Sequence, residues 1–486
     1  MPVGTNLNLS TAGDIVNKQQ IRECFDKMAA ERDRWRRRGA YYHDDIKSFL
    51  RFLIPADASV LEIGCATGDV TAYLAQQNPR IRGIDFSPAM IEVARKKYPS
   101  LDFAVADAEE VAGKETYDYL ILSDVVGFLS DVQLAFDRLR AISHPKTRVI
   151  ITSYNHIWKP AVLLAEKLNL KMPQPLDNWL TAMDLEQLLY LAGFEVVKRG
   201  QRMLIPKYIP LVSTFLNRYL AQLPFWRTFC LVHYCVARPR PVRETCINPS
   251  VSVIIPARNE RGNIEAAVQR LPSMGSHTEI VFVEGHSSDN TWEEILRVKN
   301  KYPNIEIKAT KQDGEGKGNA VRNGFDIAHG DILMILDADL TVRPEMLPRF
   351  FEAALRRDGD FINGSRLVYP MEEESMRALN VVGNKLFSLA FSWLLEQPIK
   401  DTLCGTKVLW KEDYEKIKRG RSFFGDFDPF GDFDLLFGAA KLNLKIIDLP
   451  VQYQARTYGA TNISRFKHGW LLLKMCVFAM RKIKFI

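Results

Sequence analysis

Short apolar runs that end in polar, glycine-bearing or acidic turns, each followed by a helix-patterned segment, occur in two series along this chain. That alternation predicts a doubly wound α/β sheet, with strands buried on both faces and ligands gathered at the carboxyl ends of the strands. The first series includes Ser59–Ile63, Ile81–Ile84, Phe103–Ala106 and Tyr117–Leu122. The second includes Val251–Ile255, Glu279–Val283, Ile305–Ala309 and Asp331–Leu336. Between them, Arg238-Pro-Arg-Pro-Val-Arg-Glu-Thr interrupts all periodicity and reads as a linker. With 486 residues the chain exceeds what one core usually supports. Two doubly wound domains, residues 1–237 and 250–486, joined by a linker over 238–249, are therefore expected.

Composition narrows the classes. Hydrophobic residues at 47% and charged residues at 25% fit a globular protein and exclude collagen, coiled coil and disorder. A net charge of +7 is too small to argue for nucleic acid, yet suits contact with an anionic membrane. The seven cysteines are odd in number and lack Cys-x-x-Cys spacing, so reduced thiols in the cytoplasm are expected. Met1–Gln20 is polar and carries no signal-peptide pattern, and no apolar window is long enough to span a bilayer. The expected location is the cytoplasm, at the inner face of the cell membrane.

In the first series, Glu62-Ile-Gly64-Cys-Ala-Thr-Gly68 breaks a strand into a turn whose glycines let backbone approach a ligand. Asp85 closes the next strand about 20 residues on, the spacing at which an acid reaches ribose hydroxyls. Asp107 and Asp124 close the third and fourth. These residues resemble the class I S-adenosylmethionine-dependent methyltransferases from about Phe25 to Arg238, including Leu191-Ala-Gly-Phe-Glu-Val and a final strand near Phe229–Ala237. The resemblance implies that Glu62, Gly64 and Gly68 hold the methionine part, Asp85 the ribose, and Asp107 the adenine side, with Asp124 counted among the cofactor-binding residues. Ala66 stands where the family usually has glycine, and alanine fits there only at negative φ. A nicotinamide-binding domain, an inactive relic and a scaffold without turnover are the alternatives. His43, Tyr154 and His156 are available near the strand ends, but no base is assigned and no methyl acceptor is named.

Leu211, Val212, Phe215, Leu216, Tyr219, Leu220 and Leu223 recur at helical spacing, which predicts one amphipathic helix. Its apolar face either packs on a core or another domain, or docks on a membrane surface.

In the second series, Asp331-Ile-Leu-Met-Ile-Leu-Asp337-Ala-Asp339 delivers two carboxylates at the end of a buried strand. Two such oxygens suit a hard divalent ion that also holds a diphosphate. Pro256, Asn259 and Glu260 follow the first strand, Glu284 and Asp289 the second, and Lys317 lies in a glycine-rich loop that can approach a phosphate. This half resembles the family 2 glycosyltransferases of the GT-A fold, in the branch of dolichol- and polyprenyl-phosphate glycosyltransferases, from Val251 to about Ile463. The resemblance implies that Pro256, Asn259, Glu260 and Glu284 border the nucleotide, and that Asp337 and Asp339 bind Mg²⁺ or Mn²⁺ and the diphosphate, with Asp289 and Lys317 counted among the substrate-binding residues. Glu284-Gly285 replaces the family's common pair of aspartates. Downstream, a long apolar helix over Met376–Leu395 leads to Asp401-Thr-Leu-Cys-Gly405-Thr-Lys407, and Gly431-Asp432-Phe-Asp434 opens a helix. Val451–Gln454 reads as a last strand before Arg456. In the related enzymes this region binds the acceptor and its phosphate, which makes Arg366 and Arg456 phosphate partners and Asp401 a substrate-binding residue.

The tail, Lys467–Lys484, places Lys467, Lys474 and Arg481 on one stripe beside an apolar face. It lies in the membrane interface or docks on its own domain. The expected protein is bifunctional. It transfers sugar, with inversion, from a nucleotide-diphospho-sugar to a polyprenyl phosphate at the membrane surface, and carries a methyltransferase domain. The rival is transfer to a glycan hydroxyl with Asp432 or Asp434 as base.

Overall fold

The computed structural model describes residues 18–173, 178–241, 248–366, 378–423, 433–454, 456, 458 and 465–485. The chain divides into two compact units, Met1–Arg240 and Pro241–Lys484. Each is a seven-stranded sheet covered by helices on both faces.

In the first unit the strands are β1 (Val60–Ile63), β2 (Ile81–Asp85), β3 (Asp102–Val105), β4 (Tyr117–Ser123), β5 (Ser143–Tyr154), β6 (Phe194–Arg202) and β7 (Val232–Pro239). Their order is β3-β2-β1-β4-β5-β7-β6, parallel from β3 to β5, with β7 antiparallel to both neighbours. Chain direction across the sheet reverses between β1 and β4, and that switch point is where a crevice opens at the strand ends. The middle strands are apolar because helices cover both faces: Leu120, Leu122, Val149 and Ile151 are buried against Phe136 and Phe194. Ahead of β1, the helix Lys18–Arg38 packs Ile21, Phe25 and Ala29 on Met90 of the helix Pro88–Lys97. That second helix starts where Ser87 caps it, its hydroxyl accepting from the Met90 amide at 3.2 Å, with Pro88 at the first position.

Three expectations need correction here. β7 continues through Pro239, and the buried Arg238 donates from Nε to Glu195 at 2.7 Å, so the start of the expected linker is strand. Ala66 has φ +46°, not a negative value. Its amide donates to the Asp85 carboxylate at 2.9 Å, which holds alanine in a backbone region where glycine is more at ease. The expected helix over 211–223 is two short pieces, Val212–Arg218 and Leu220–Gln222, with a third, Pro224–Arg227, just beyond. Its polar face, not its apolar face, turns inward. Ser213 and Gln222 are buried, and the Asn217 carboxamide oxygen accepts from the Leu204 and Ile205 amides at 2.7 and 2.9 Å.

In the second unit the strands are β8 (Val251–Ala257), β9 (Thr278–Glu284), β10 (Ile307–Lys311), β11 (Ile332–Ile335), β12 (Phe361–Ser365), β13 (Lys407–Trp410) and β14 (Ile446–Pro450). The order is β10-β9-β8-β11-β13-β12-β14, with β13 antiparallel to β11 and β12. Because β13 runs backwards, the loop that feeds it, Asp401–Thr406, arrives at the carboxyl end of β11. The expected strand over Val451–Gln454 lies beyond β14, where only Tyr453 pairs, in an isolated bridge to Val342. The long apolar helix is described from Ala378 to Leu395.

The tail is helical over Arg465–Ala479 and buries Met475, Cys476 and Ala479 in the same core as Phe391 and Phe433. Its other face exposes Trp470, Leu473, Lys474 and Val477. The tail is therefore docked on its own domain by one face. Among the described residues no helix is long and apolar enough to cross a membrane.

Candidate functional site

The carboxyl edge of β11 organises the second unit. β11 is wholly buried, so the chain leaves it at Leu336 and immediately presents Asp337 and Asp339 at the edge. Asp337 Oδ1 lies 2.6 Å from Lys317 Nζ, at the start of the helix Gly316–Ile327. Burial acts to raise the Asp337 carboxyl, but the Lys317 ammonium outweighs it and holds the group below the usual carboxylate range. Gly405, in the loop before β13, sits so close that a Cβ there would meet both Asp337 Oδ2 and Lys317 Nζ. Asp339 Oδ1 accepts from the Thr341 hydroxyl at 2.8 Å and its amide at 3.1 Å, which fixes the carboxylate as a turn. Its Oδ2 lies 2.7 Å from Arg456, whose other nitrogen is 2.9 Å from Glu260. Burial pushes Glu260 up to about 6, against the pull of Arg456.

The turns after β8 and β9 complete this edge. Pro256 pairs with Val283 one step before the β8 ladder ends at Ala257, and Asn259, at φ +57°, accepts from the Ser288 amide at 2.8 Å. Glu284 accepts from the Ser287 amide at 2.5 Å. Asp289 accepts from the Thr291 hydroxyl at 2.5 Å and from the Arg261 amide at 3.3 Å, tying the two turns together. Glu260, Asp339 and Arg456 thus converge, as do Lys317 and Asp337.

The remaining expected residues have separate surroundings. Arg366 is bound by both nitrogens to Asp401, at 2.7 and 2.9 Å, and lies over the Tyr453 ring. Asp401 is fully buried, so this pair is a fixed bracket beside the site. Asp434 is buried at the start of the helix Phe433–Lys441, 3.5 Å from Arg322 and 3.6 Å from Arg421. Asp432 lies outside the described residues. Gly405 and Thr341 were not singled out by sequence reading. The Asp-x-Thr turn at Asp339 was a legible signal for the second.

A divalent ion fits the donor set at β11. Asp337 and Asp339 offer hard carboxylate oxygens, and two are what Mg²⁺ takes from a protein when substrate phosphates fill the rest of its shell. Lys317 and Arg456 already balance the charge of these carboxylates.

In the first unit, Gly64 and Gly68 have φ +75° and +81°, and a Cβ on Gly64 would strike Val125. Glu62 is buried, hydrogen-bonded to Thr71, and pushed up to about 7 by that burial. Asp85 accepts from the Ala66 and Ser87 amides, both at 2.9 Å. Asp107 lies 2.6 Å from Lys18 at the start of the first helix. Asp124, at φ +56°, accepts from the Tyr42 hydroxyl at 2.5 Å and from Thr152 at 3.2 Å. Burial raises its carboxyl. Asp124 lines a cleft at the ends of β4 and β5 together with Phe128, Tyr154 and Trp179. Glycine turn, acids and cleft all lie at one sheet edge, as cofactor and acceptor must if they are to meet.

Comparison with known proteins assigns both units. Residues 252–417 match the family model "Glycosyl transferase family 2", and residues 34–199 match the model "Methyltransferase domain". The chain is 42% identical over 218 residues to a dolichol-phosphate mannosyltransferase of Pyrococcus furiosus, covering 44% of this chain and 59% of that protein. It is 28% identical over 235 residues to the low-salt glycan biosynthesis hexosyltransferase Agl6 of Haloferax volcanii, covering 47% and 53%. The chain thus spans somewhat more than half the length of these relatives. Among solved structures, magnesium protoporphyrin IX methyltransferase from Synechocystis aligns with a TM-score of 0.33 and 18% identity, over 46% of this chain and 99% of that one. This chain joins a methyltransferase domain to a family 2 glycosyltransferase domain.

Proposed function

We propose that the second domain transfers a sugar, with inversion, from a nucleotide-diphospho-sugar to a polyprenyl phosphate, and that the first is an S-adenosylmethionine-dependent methyltransferase. The observation that carries the first half is the edge of β11, where two carboxylates face Lys317 and Arg456. Asp337 and Asp339 would hold Mg²⁺ or Mn²⁺, which supplies Lewis-acid stabilisation of the departing diphosphate. The turns carrying Asn259, Glu284 and Asp289 border the nucleotide. Lys317 and Arg456 neutralise phosphate charge, and the Arg366–Asp401 bracket keeps the loop at Gly405 in place. A phosphate nucleophile is already mostly ionised at neutral pH, so this reading needs no general base. It also suits Asp434, which faces two guanidinium groups.

The relatives' names support a lipid-phosphate acceptor, and a membrane-surface location follows from that substrate. In the methyltransferase domain, Asp85 and Asp107 would bind the nucleoside and the Gly64–Gly68 turn the amino-acid part. The cofactor supplies a methyl group on a sulfonium. The test is incubation of the full chain with nucleotide sugars, undecaprenyl phosphate and Mn²⁺, followed by mass spectrometry. A lipid-linked sugar is expected. Transfer only to a soluble glycan, lost in Asp434→Asn, overturns the acceptor.

A further inference from the structure

Among the described residues, the apolar side of the segment between β6 and β7 is largely uncovered, with Tyr219 meeting the Phe485 ring at 5.2 Å. Leu211 is 87%, Phe225 67% and Phe215 59% exposed. The inversion has a local cause. Ser213 Oγ accepts from the Ile209 amide at 2.6 Å and donates to the Lys207 carbonyl at 2.7 Å. Asn217 binds the backbone of Leu204 and Ile205. The polar side chains are consumed in holding the loop over residues 204–209, and the helical turns can then only direct their apolar side chains outward.

The patch does not end there. The Trp158 indole donates to the Phe229 carbonyl at 2.8 Å, and Asn155 donates to the Thr228 and Cys230 carbonyls. These bonds join the segment to the helix Lys159–Lys167, which exposes Leu163 and Leu164, with Leu168 and Leu170 exposed just beyond it. Two tethered elements thus present exposed apolar side chains in greater number than the scattered ones normal for a soluble domain.

Its charge has one sign. Residues 207–229 carry Lys207, Arg218 and Arg227 and no acidic residue. Lys159, Lys167, Lys207 and Arg218 are exposed around the apolar patch. The one acid of the adjoining helix, Glu166, is paired with Lys171 at 2.7 Å. Exposed aromatic and aliphatic side chains rimmed by cations match an anionic bilayer interface, where the rings sit at headgroup depth and the cations meet lipid phosphates. A protein partner matching the same rim would have to be acidic around an apolar centre, and this chain's own surface segment is basic.

The patch also lies at the mouth of the cleft. Tyr154 lines the cleft, and the turn at His156–Trp158 that begins the patch follows after Asn155. On the other side, Tyr41 meets the Tyr208 ring at 5.7 Å and accepts from Asn217, while its neighbour Tyr42 holds Asp124 inside the cleft.

We propose that the methyltransferase domain docks on an anionic lipid surface through residues 207–229 and the helix Lys159–Lys167, and that its methyl acceptor is a lipid-anchored molecule entering at Tyr154 and Tyr42. The acceptor half of this inference rests on the methyltransferase reading; the docking half does not.

The test uses the full chain with vesicles of phosphatidylcholine, alone or mixed with phosphatidylglycerol. Hydrogen exchange should slow over residues 207–229 on the mixed vesicles and not on the neutral ones. Leu211→Ser/Phe215→Ser/Phe225→Ser should remove that protection and lower methyl transfer from labelled S-adenosylmethionine into solvent-extractable lipid by roughly tenfold or more, with cofactor binding unchanged. Lys167→Glu/Lys207→Glu should weaken docking in the same direction, and provides the answer if the triple variant does not fold. Unchanged exchange over 207–229 on vesicles that carry the chain overturns the docking face. So does a concentration-dependent dimer that the triple variant abolishes, since a second copy would then be the occupant. Methyl transfer confined to the aqueous phase overturns the lipid-anchored acceptor. Absence of S-adenosylmethionine binding by calorimetry would remove the methyltransferase reading while leaving the vesicle result to stand on its own.

Discussion

Gly405→Ala isolates the geometry of the β11 edge from the stability of the domain. Gly405 is not among the residues at positive φ, so alanine meets no backbone penalty there. The added Cβ instead lands against Asp337 Oδ2 and Lys317 Nζ, well inside contact distance of both. To clear it, the carboxylate must retreat by about an ångström, a misplacement that typically costs about 10²-fold in rate. At 1.36 kcal/mol per decade this is about 3 kcal/mol of transition-state stabilisation. The Asp337–Lys317 pair is about one-third exposed, so its contribution to folding is small and the thermal midpoint should stay where it is. Initial rates of sugar transfer measured across a Mn²⁺ titration should show a lower maximal rate with a raised metal requirement. Wild-type rate and metal dependence in a folded Gly405→Ala protein would refute the placement of Asp337 at the reacting centre.

Chelation by EDTA should abolish sugar transfer and Mn²⁺ restore it, and Asp339→Asn should be inactive while melting normally; activity in chelator sinks the metal assignment. Arg456→Ala should lower transfer to undecaprenyl phosphate far more than Asp434→Asn, because Arg456 touches Asp339 and Glu260 whereas Asp434 is anchored on Arg322 and Arg421; the opposite ranking, read in initial rates, favours the glycan acceptor. Glu62, raised to about 7 by burial, binds its proton more tightly folded than unfolded. Stability should therefore fall as pH rises from about 4.5 to 7, by at most about 1.4 kcal/mol per pH unit, and Glu62→Gln should remove that slope in urea titrations of the first unit. Met475→Ala should cost about 2–5 kcal/mol, since Met475 lies in the core with Phe391, and an unchanged denaturation midpoint would refute the docked tail helix.

Strands buried on both faces were legible as apolar runs, which is why β1, β2, β4, β8, β9 and β11 and the acids that close them could be read from residue order. β5 was not, because it opens with Ser143-His-Pro-Lys-Thr, polar residues that hide a strand whose apolar part starts at Val149. The segment over 211–223 shows a different limit. Helical spacing tells which residues share a face, but only the bonds of Ser213 and Asn217 to a loop earlier in the chain decide which face turns inward. Pairings of the site escape sequence for the same reason: Arg366 and Asp401 are 35 residues apart, and nothing local announces that each satisfies the other. Ala66 marks a place where a rule about φ was too strict, since the Asp85 carboxylate supplies the hydrogen bond that keeps it left-handed.

The pair between Asp339 and Arg456 spans 117 residues, and that between Glu260 and Arg456 spans 196. The turns after β8 and β9 and both carboxylates belong to the run from Val251 to Asp339, whose parallel strands can pair among themselves. Arg456 comes after β14, and contacts of such separation form late because loop closure must come first. During synthesis, a ribosome-bound chain would expose these carboxylates before the cation that pairs with them had emerged. Until the segment after β14 has joined the sheet edge, Asp339 and Glu260 stand without the guanidinium that they share.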